Sequence, residues 1–371
     1  MGRDLSYNNY YSHELRKNKT SEQHIDAVLR GSMKAYNLMA LSRMLGGLIA
    51  QYEATDSLEY LDAGYDLCLR AIERSQVSKD IEGNRSPFLD NYRSWINLNP
   101  NEDEHVNGGG HLQEVPLFES YLFRYMAKLL YETKRISPPD RTPKIRTQYG
   151  AVLHFVSKNG WEKWYMRGEA KNSCYTYLFR SRTHMTSHWA LVALFMSRMD
   201  TDKEKVVQYN TFVDLYNKQL RENLFTKANG AYIWNMTWSN PWPSGLNCNP
   251  AALNPIIQDG SHGDHVITYV VESYEMQRYW NEEDIKRFSK TLRFLLFDEQ
   301  SDMFYADLSG TVEDKFKSGM EYADGFIKLG RYDKKVLQCF EKARLKNEHE
   351  FYFDDIQYVA EFNLAKRYLK K

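Results

Sequence analysis

The chain has 371 residues, 42% of them hydrophobic and 26% charged, which is enough to bury a large core. Lysine plus arginine equals aspartate plus glutamate at 49 each, so the basic excess of a nucleic-acid-binding protein is missing and none is expected as partner. No apolar run of about 18 residues is present to span a membrane.

Helical periodicity dominates the chain in order. From Ser21 to Glu53, apolar residues such as Ile25, Val28, Leu29, Leu38, Leu41 and Leu45 recur at three- and four-residue spacing and predict a helix. Residues 57–75 predict another, with Asp56 and Glu59 suiting a helix N-terminus. Further helices are expected over 111–134, 142–158, 184–199, 203–223, 262–279, 283–297, 320–329, 333–345 and 354–369. Strand-like pieces occur at Ala231–Trp234 and Met303–Ala306. Long loops rich in Asn, Gly, Pro and Ser run over 78–110, 135–143 and 228–260, and loops of that length are usually functional.

So many helices without strand alternation exclude the parallel α/β classes. An open solenoid should show a repeat of about 34 to 47 residues, and none is visible. The expected fold is therefore all-α, an (α/α) toroid of about six or seven helical hairpins, one domain over 1–371 with long rim loops.

Cys68, Cys174, Cys248 and Cys339 lie far apart and form neither a zinc signature nor a compact disulfide framework. The aromatic content is 27 Tyr, 18 Phe and 8 Trp. So many tyrosines suit half-wet surfaces where a ring packs and a hydroxyl bonds outward, as in sugar-binding grooves. Long amphipathic helices that pack with tyrosine account for any single residue equally well.

Three helix starts share one device, a polar loop followed by histidine and an apolar helix. In Gly108-Gly-Gly-His111-Leu-Gln113-Glu114, the residues His111, Glu114, Phe118, Tyr121 and Tyr125 share a face. In Arg180-Ser-Arg182-Thr-His184-Met-Thr-Ser-His188-Trp189, the residues Arg180, His184 and His188 step by four. In Asp259-Gly-Ser-His262-Gly-Asp264-His265, the residues His262, His265, Tyr269 and Glu272 form a stripe. These segments hold five of the ten histidines, a clustering that outweighs the ordinary reading of each as a core residue. Helix N-termini also favour anionic ligands. His184 and His188 form an HxxxH pair that His262 and His265 could complete as a metal site, but the glutamate of HExxH is missing and no metal or other cofactor is assigned.

Arg93 in the first long loop is a candidate groove residue. Trp234, Trp238 and Trp242 read either as a sugar-stacking platform or as anchors that pin their loop. Asp324 reads as a surface helix cap.

At these residues the chain resembles the helical-toroid polysaccharide lyases, the alginate and other uronate lyases in particular. Thr186-Ser187-His188-Trp189 is similar to the Asn-His-x-x-Trp helix start of some alginate lyases, with serine in place of asparagine and tryptophan directly after the histidine. The resemblance implies β-elimination on a uronic-acid polysaccharide, alginate-like or glucuronan-like. An arginine, glutamine or histidine neutralises the sugar carboxylate, and a histidine or tyrosine removes the C5 proton. It implies a catalytic group of His188 (the base), His184, Arg182, Tyr269 and His265. Tyr175, Tyr177 and Tyr322 are further candidates for the tyrosine. Substrate contacts fall to His111, Gln113, Glu114, Arg180, His262, Trp238, Trp242 and Arg93. The implied partner is an anionic poly- or oligosaccharide, which makes a secreted or periplasmic protein the expectation although the start lacks a signal's apolar stretch. The oligomeric state stays open.

Three alternatives stand beside it. A glycoside hydrolase would use two of Glu114, Glu119, Asp259 and Asp264. A sugar 2-epimerase is faintly echoed by Gly110-His111-Leu112-Gln113-Glu114. A glycan-binding helical protein would need aromatic platforms and no histidines.

Overall fold

The computed structural model describes residues 35–98, 111–170, 175–238, 256–310, 324–346 and 356–370. These are mostly helical, and the all-α class stands. Among the described residues the strands form three two-stranded antiparallel ribbons. No described helix is long and apolar enough to cross a membrane. The chain divides into two compact units, Met1–Phe179 with Val192–Asn210, and Arg180–Leu191 with Thr211–Lys371.

In the first unit, helix α1 (Ala35–Thr55) packs on α2 (Glu59–Arg74) and α3 (Pro116–Arg135). The start of the helix predicted over 21–53 lies outside the described residues. Glu59 and Asp62 in the first turn of α2 and Arg74 in its last complement the helix dipole. The apolar face of α2 buries Leu61, Tyr65, Leu67 and Cys68, and the Tyr65 hydroxyl donates to Thr133 Oγ1 at 3.0 Å. Proline at N1 starts α3, a helix buried on almost every side. Charged residues inside it must therefore find partners.

Thr142 caps α4 (Pro143–Phe155), its hydroxyl accepting from the Ile145 amide at 3.1 Å. The helix does not stop near 158 as predicted. It passes through a π-helical stretch, Val156–Glu162, into α5 (Lys163–Glu169). Such a stretch shifts the angular phase of every residue after it, and Lys163, Trp164 and Arg167 are all buried. Strand β1 (Gln76–Val77) pairs with β2 (Arg93–Ser94). Helix α6 (Thr183–Met196) and helix α7 (Lys203–Asn223) follow.

The second unit pairs β3 (Leu224–Thr226) with β4 (Tyr232–Trp234) in the register Leu224↔Trp234. Asp259 caps α8 (Gly260–Glu275). This helix was expected to reach 279, but Gln277 and Tyr279 have φ of 55° and 68°, a left-handed backbone that ends it. Helix α9 (Glu282–Thr291) opens with a capping box between Asn281 and Asp284. Arg221 grips Asp284 through two bonds of 2.6 and 2.8 Å. The ribbon of β5 (Phe297–Asp298) and β6 (Met303–Phe304) follows. The described end of the helix predicted over 320–329 is instead a 3-10 turn, Phe326–Arg331. Helices α10 (Lys334–Lys346) and α11 (Ile356–Tyr368) close the chain. Cys68 and Cys339 are free and buried, and burial raises the Cys339 thiol to about 11.

Candidate active site

The start of α8 holds an organised polar group of the second unit. The Asp259 side chain accepts from the His262 amide at 2.8 Å, which is the ordinary work of an N-cap aspartate. The same carboxylate lies 2.9 and 3.0 Å from His262 Nδ1 and accepts from Gln258 Nε2 at 2.9 Å. Burial acts to raise the Asp259 pKa, but the bonds and charge of His262 outweigh it and hold the carboxyl below its usual range. A carboxylate on Nδ1 fixes that nitrogen as the protonated one and leaves Nε2 as the basic nitrogen. The side chains of His262 and Asp259 keep 39% and 28% of their exposure, so the pair is reachable from solvent.

Backbone pairing brings the start of α6 beside this pair. Arg182 bridges Thr237, and the Thr183 amide donates to Met236 O at 2.9 Å. The Met236 amide donates to Ile256 O and the Gln258 amide to Trp234 O. The Thr183 hydroxyl reaches Gln258 Oε1 at 2.9 Å. Gly263 allows the close approach, since a Cβ there would meet Gln258 Cγ at 3.2 Å and Trp234 Cζ2 at 3.3 Å.

The result is two histidine pairs. His184 lies against His262, ring centroids 4.3 Å apart, and His188 against His265 at 4.6 Å. His184, His188 and His265 are buried. Burial first, then His262, His265 and Arg182, push the His184 pKa well below its usual value, with Asp259 pulling the other way. Its Nδ1 has no hydrogen-bond partner among the described residues. Arg180 and Arg182 are half-buried at the exposed edge. Trp238 is half-buried too, donating from Nε1 to Arg180 O at 2.8 Å.

Deeper in α8, Asp264 accepts from the amides of Gly325 (2.8 and 2.9 Å) and Phe326 (2.7 Å). Burial first, and Asp324 second, push its carboxyl well above the usual range, against those N–H bonds. Asp324, expected to be a surface cap, is buried.

Thus Arg180, Arg182, His184, His188, His262, His265 and Trp238 gather in one unit. His188, expected to be the base, is fully buried, while the Asp259–His262 pair keeps contact with solvent. Tyr269 is a core residue: its hydroxyl donates to Asn217 Oδ1 at 2.9 Å, and Trp280 donates to the same atom. Trp234 is likewise buried against Phe288 and offers no stacking face. Trp242 and Tyr322 lie outside the described residues.

Arg93, His111, Gln113 and Glu114 belong to the first unit, where two of them have structural work. Arg93 donates to the carbonyls of Ile72 and Ser75 at the end of α2. Glu114 accepts from Ser78 at 2.6 Å and from Arg167 at 2.5 Å. Burial raises the Glu114 pKa, but Lys163 and Arg167 outweigh it and leave the carboxyl below its usual range. His111 and Gln113 are half-buried, as are Tyr175 and Tyr177 of the same unit. Sequence reasoning undervalued Asp259. The signal was present, an aspartate three residues before a histidine at a helix start.

No protein-family model, curated protein or solved structure matches this chain.

Proposed function

We propose that this protein is a polysaccharide lyase that cleaves a uronic-acid polysaccharide by β-elimination, with the Asp259–His262 pair as its proton-transfer group. The observation that carries the reading is the half-exposed His262, its Nδ1 held 2.9 Å from Asp259, at an edge that also presents Arg180 and Arg182. An arginine bonding the sugar carboxylate makes the C5 proton acidic enough to remove. His262 Nε2 takes that proton, the C4–C5 double bond forms as the C4–O bond breaks, and the leaving oxygen takes a proton from the imidazolium or from water. Trp238 is the stacking surface for a neighbouring sugar. The interior histidines His184, His188 and His265 support the exposed ring instead of meeting the polymer.

The toroid of helical hairpins is part of the same proposal, supported by helix starts that carry the polar chemistry. So is an anionic poly- or oligosaccharide as partner, and a polymer of that size favours action outside the cytoplasm. The hydrolase alternative is weaker on the geometry. Glu119 is locked to Lys163 at 2.7 Å, Glu114 to Arg167, and Asp264 to backbone amides. Of the four acids named for that reaction, Asp259 alone keeps contact with solvent.

The test is to follow ultraviolet absorbance of unsaturated product over a panel of polyuronates, with wild type beside His262→Ala and Arg182→Ala. A rise with wild type that both variants lose supports the reading. Absence of any rise, with reducing ends released from neutral glycans, sinks it.

A further inference from the structure

The contact between α8 and the turn at residue 325 is unusually close. A Cβ on Gly325 would stand 1.9 Å from Asp264 O and 2.7 Å from Thr268 Oγ1, so no other residue permits this approach. The approach sets Asp324 beside Asp264 in the interior, two carboxyl groups where water cannot screen them. Bringing like charges together under burial is unfavourable unless a third species offsets it. Among the described residues no lysine or arginine pairs with Asp264, and the nearby Lys328 ammonium goes to Glu361 and Glu272.

A third group faces the pair. One ligand atom each of Asp264, His265 and Asp324 lie within 4.8 Å of one another, all three residues buried. Their orientation is held from behind, as metal ligands usually are. The amides of Gly325 and Phe326 fix Asp264, and Gln357 Nε2 donates to Asp324 Oδ2 at 3.1 Å. The His265 ring rests on His188.

We propose that Asp264, His265 and Asp324 bind one divalent first-row metal ion. Two carboxylates and an imidazole make a mixed oxygen and nitrogen donor set that suits zinc or manganese. The ion offsets the paired carboxylates and ties the 325 turn to α8, the helix whose first turn carries His262. The inference does not depend on the elimination reading.

The full chain, stripped with a chelator and dialysed against zinc, should retain one equivalent by elemental analysis. Cobalt in its place should give a visible ligand-field band, and zinc should raise the melting temperature of the stripped protein. Asp324→Asn and His265→Ala should lose the retained ion and the band. If neither variant folds, the wild-type stoichiometry and cobalt band decide. A wild-type chain that retains no ion and gives no band overturns the proposal. No step of this test uses a polysaccharide, so it succeeds or fails apart from the lyase reading.

Discussion

The imidazole rings of His184 and His262 lie 4.3 Å apart at an interplanar angle of 36°, one buried and the other open to solvent. A charge on either ring is felt by the other. The buried ring has little water to stabilise its own protonation, so His184 is held neutral beneath the exposed ring.

Stability should therefore fall on the acid side. The His184 pKa is depressed in the folded chain, so below its ordinary value of 6.5 the unfolded chain binds the extra proton. Its contribution is intact above that value and is lost as pH falls toward the folded pKa. The slope approaches about 1.4 kcal/mol per pH unit for one proton. Urea unfolding from pH 7.5 to 5 should show His184→Gln with a shallower dependence than wild type. Equal slopes would assign the acid sensitivity elsewhere.

The two roles of Asp259 can be separated. Asparagine caps a helix about as well as aspartate, so Asp259→Asn should fold with a melting temperature near wild type. It cannot hold the His262 tautomer as a carboxylate does. On a cleaved polyuronate the turnover rate should drop by about 10²-fold or more, and by up to about 10⁴-fold for His262→Ala. A variant with full turnover would remove the pair from the mechanism.

In the first unit, Lys163 and Glu119 pair at 2.7 Å with neither side chain exposed. Burial lowers the lysine pKa, against the pull of Glu119 and Glu114. The ammonium also donates to Arg93 O and Ser94 Oγ. Lys163→Met leaves a buried carboxylate without its partner and should cost about 3–5 kcal/mol. The double variant Lys163→Met, Glu119→Leu should recover much of that loss. Chemical denaturation of the three proteins gives the comparison, and additive losses would argue against a coupled pair.

Gly325→Ala tests the close approach of the 325 turn. Its φ of −86° is open to any residue, so the clash with the Asp264 carbonyl and with Thr268 Oγ1 is what opposes alanine. A loss of about 3 kcal/mol or more is expected by thermal unfolding. A loss under about 1 kcal/mol would mean that the turn moves freely away from α8.

Local patterning was enough for much of the secondary structure. The three- and four-residue spacing placed α2, α4, α6, α7 and α10 within a few residues, because an amphipathic stripe and its caps are written in neighbours along the chain. The histidine-led starts of α6 and α8 were visible for the same reason, whereas His111 and Glu114, expected on the first turn of a helix over 111–134, lie ahead of α3, which opens only at Pro116. The continuation from α4 through the π stretch into α5 was not visible, since a π turn has no local signature; within it Gly160 packs so closely on Phe123 that a Cβ would stand 3.0 Å from the ring.

The roles within the site depended on contacts between residues distant in the chain. Spacing put His188 and Tyr269 on the same faces as His184 and His265, but nothing in the sequence says how deep a face lies. Tertiary packing buried both, left His262 at the edge and drew Asp324 into the interior beside Asp264. It also turned Glu114 and Arg93 into structural groups by pairing them with Arg167 and the end of α2. Periodicity records which residues share a side, whereas burial and charge pairing arise only when separate segments meet.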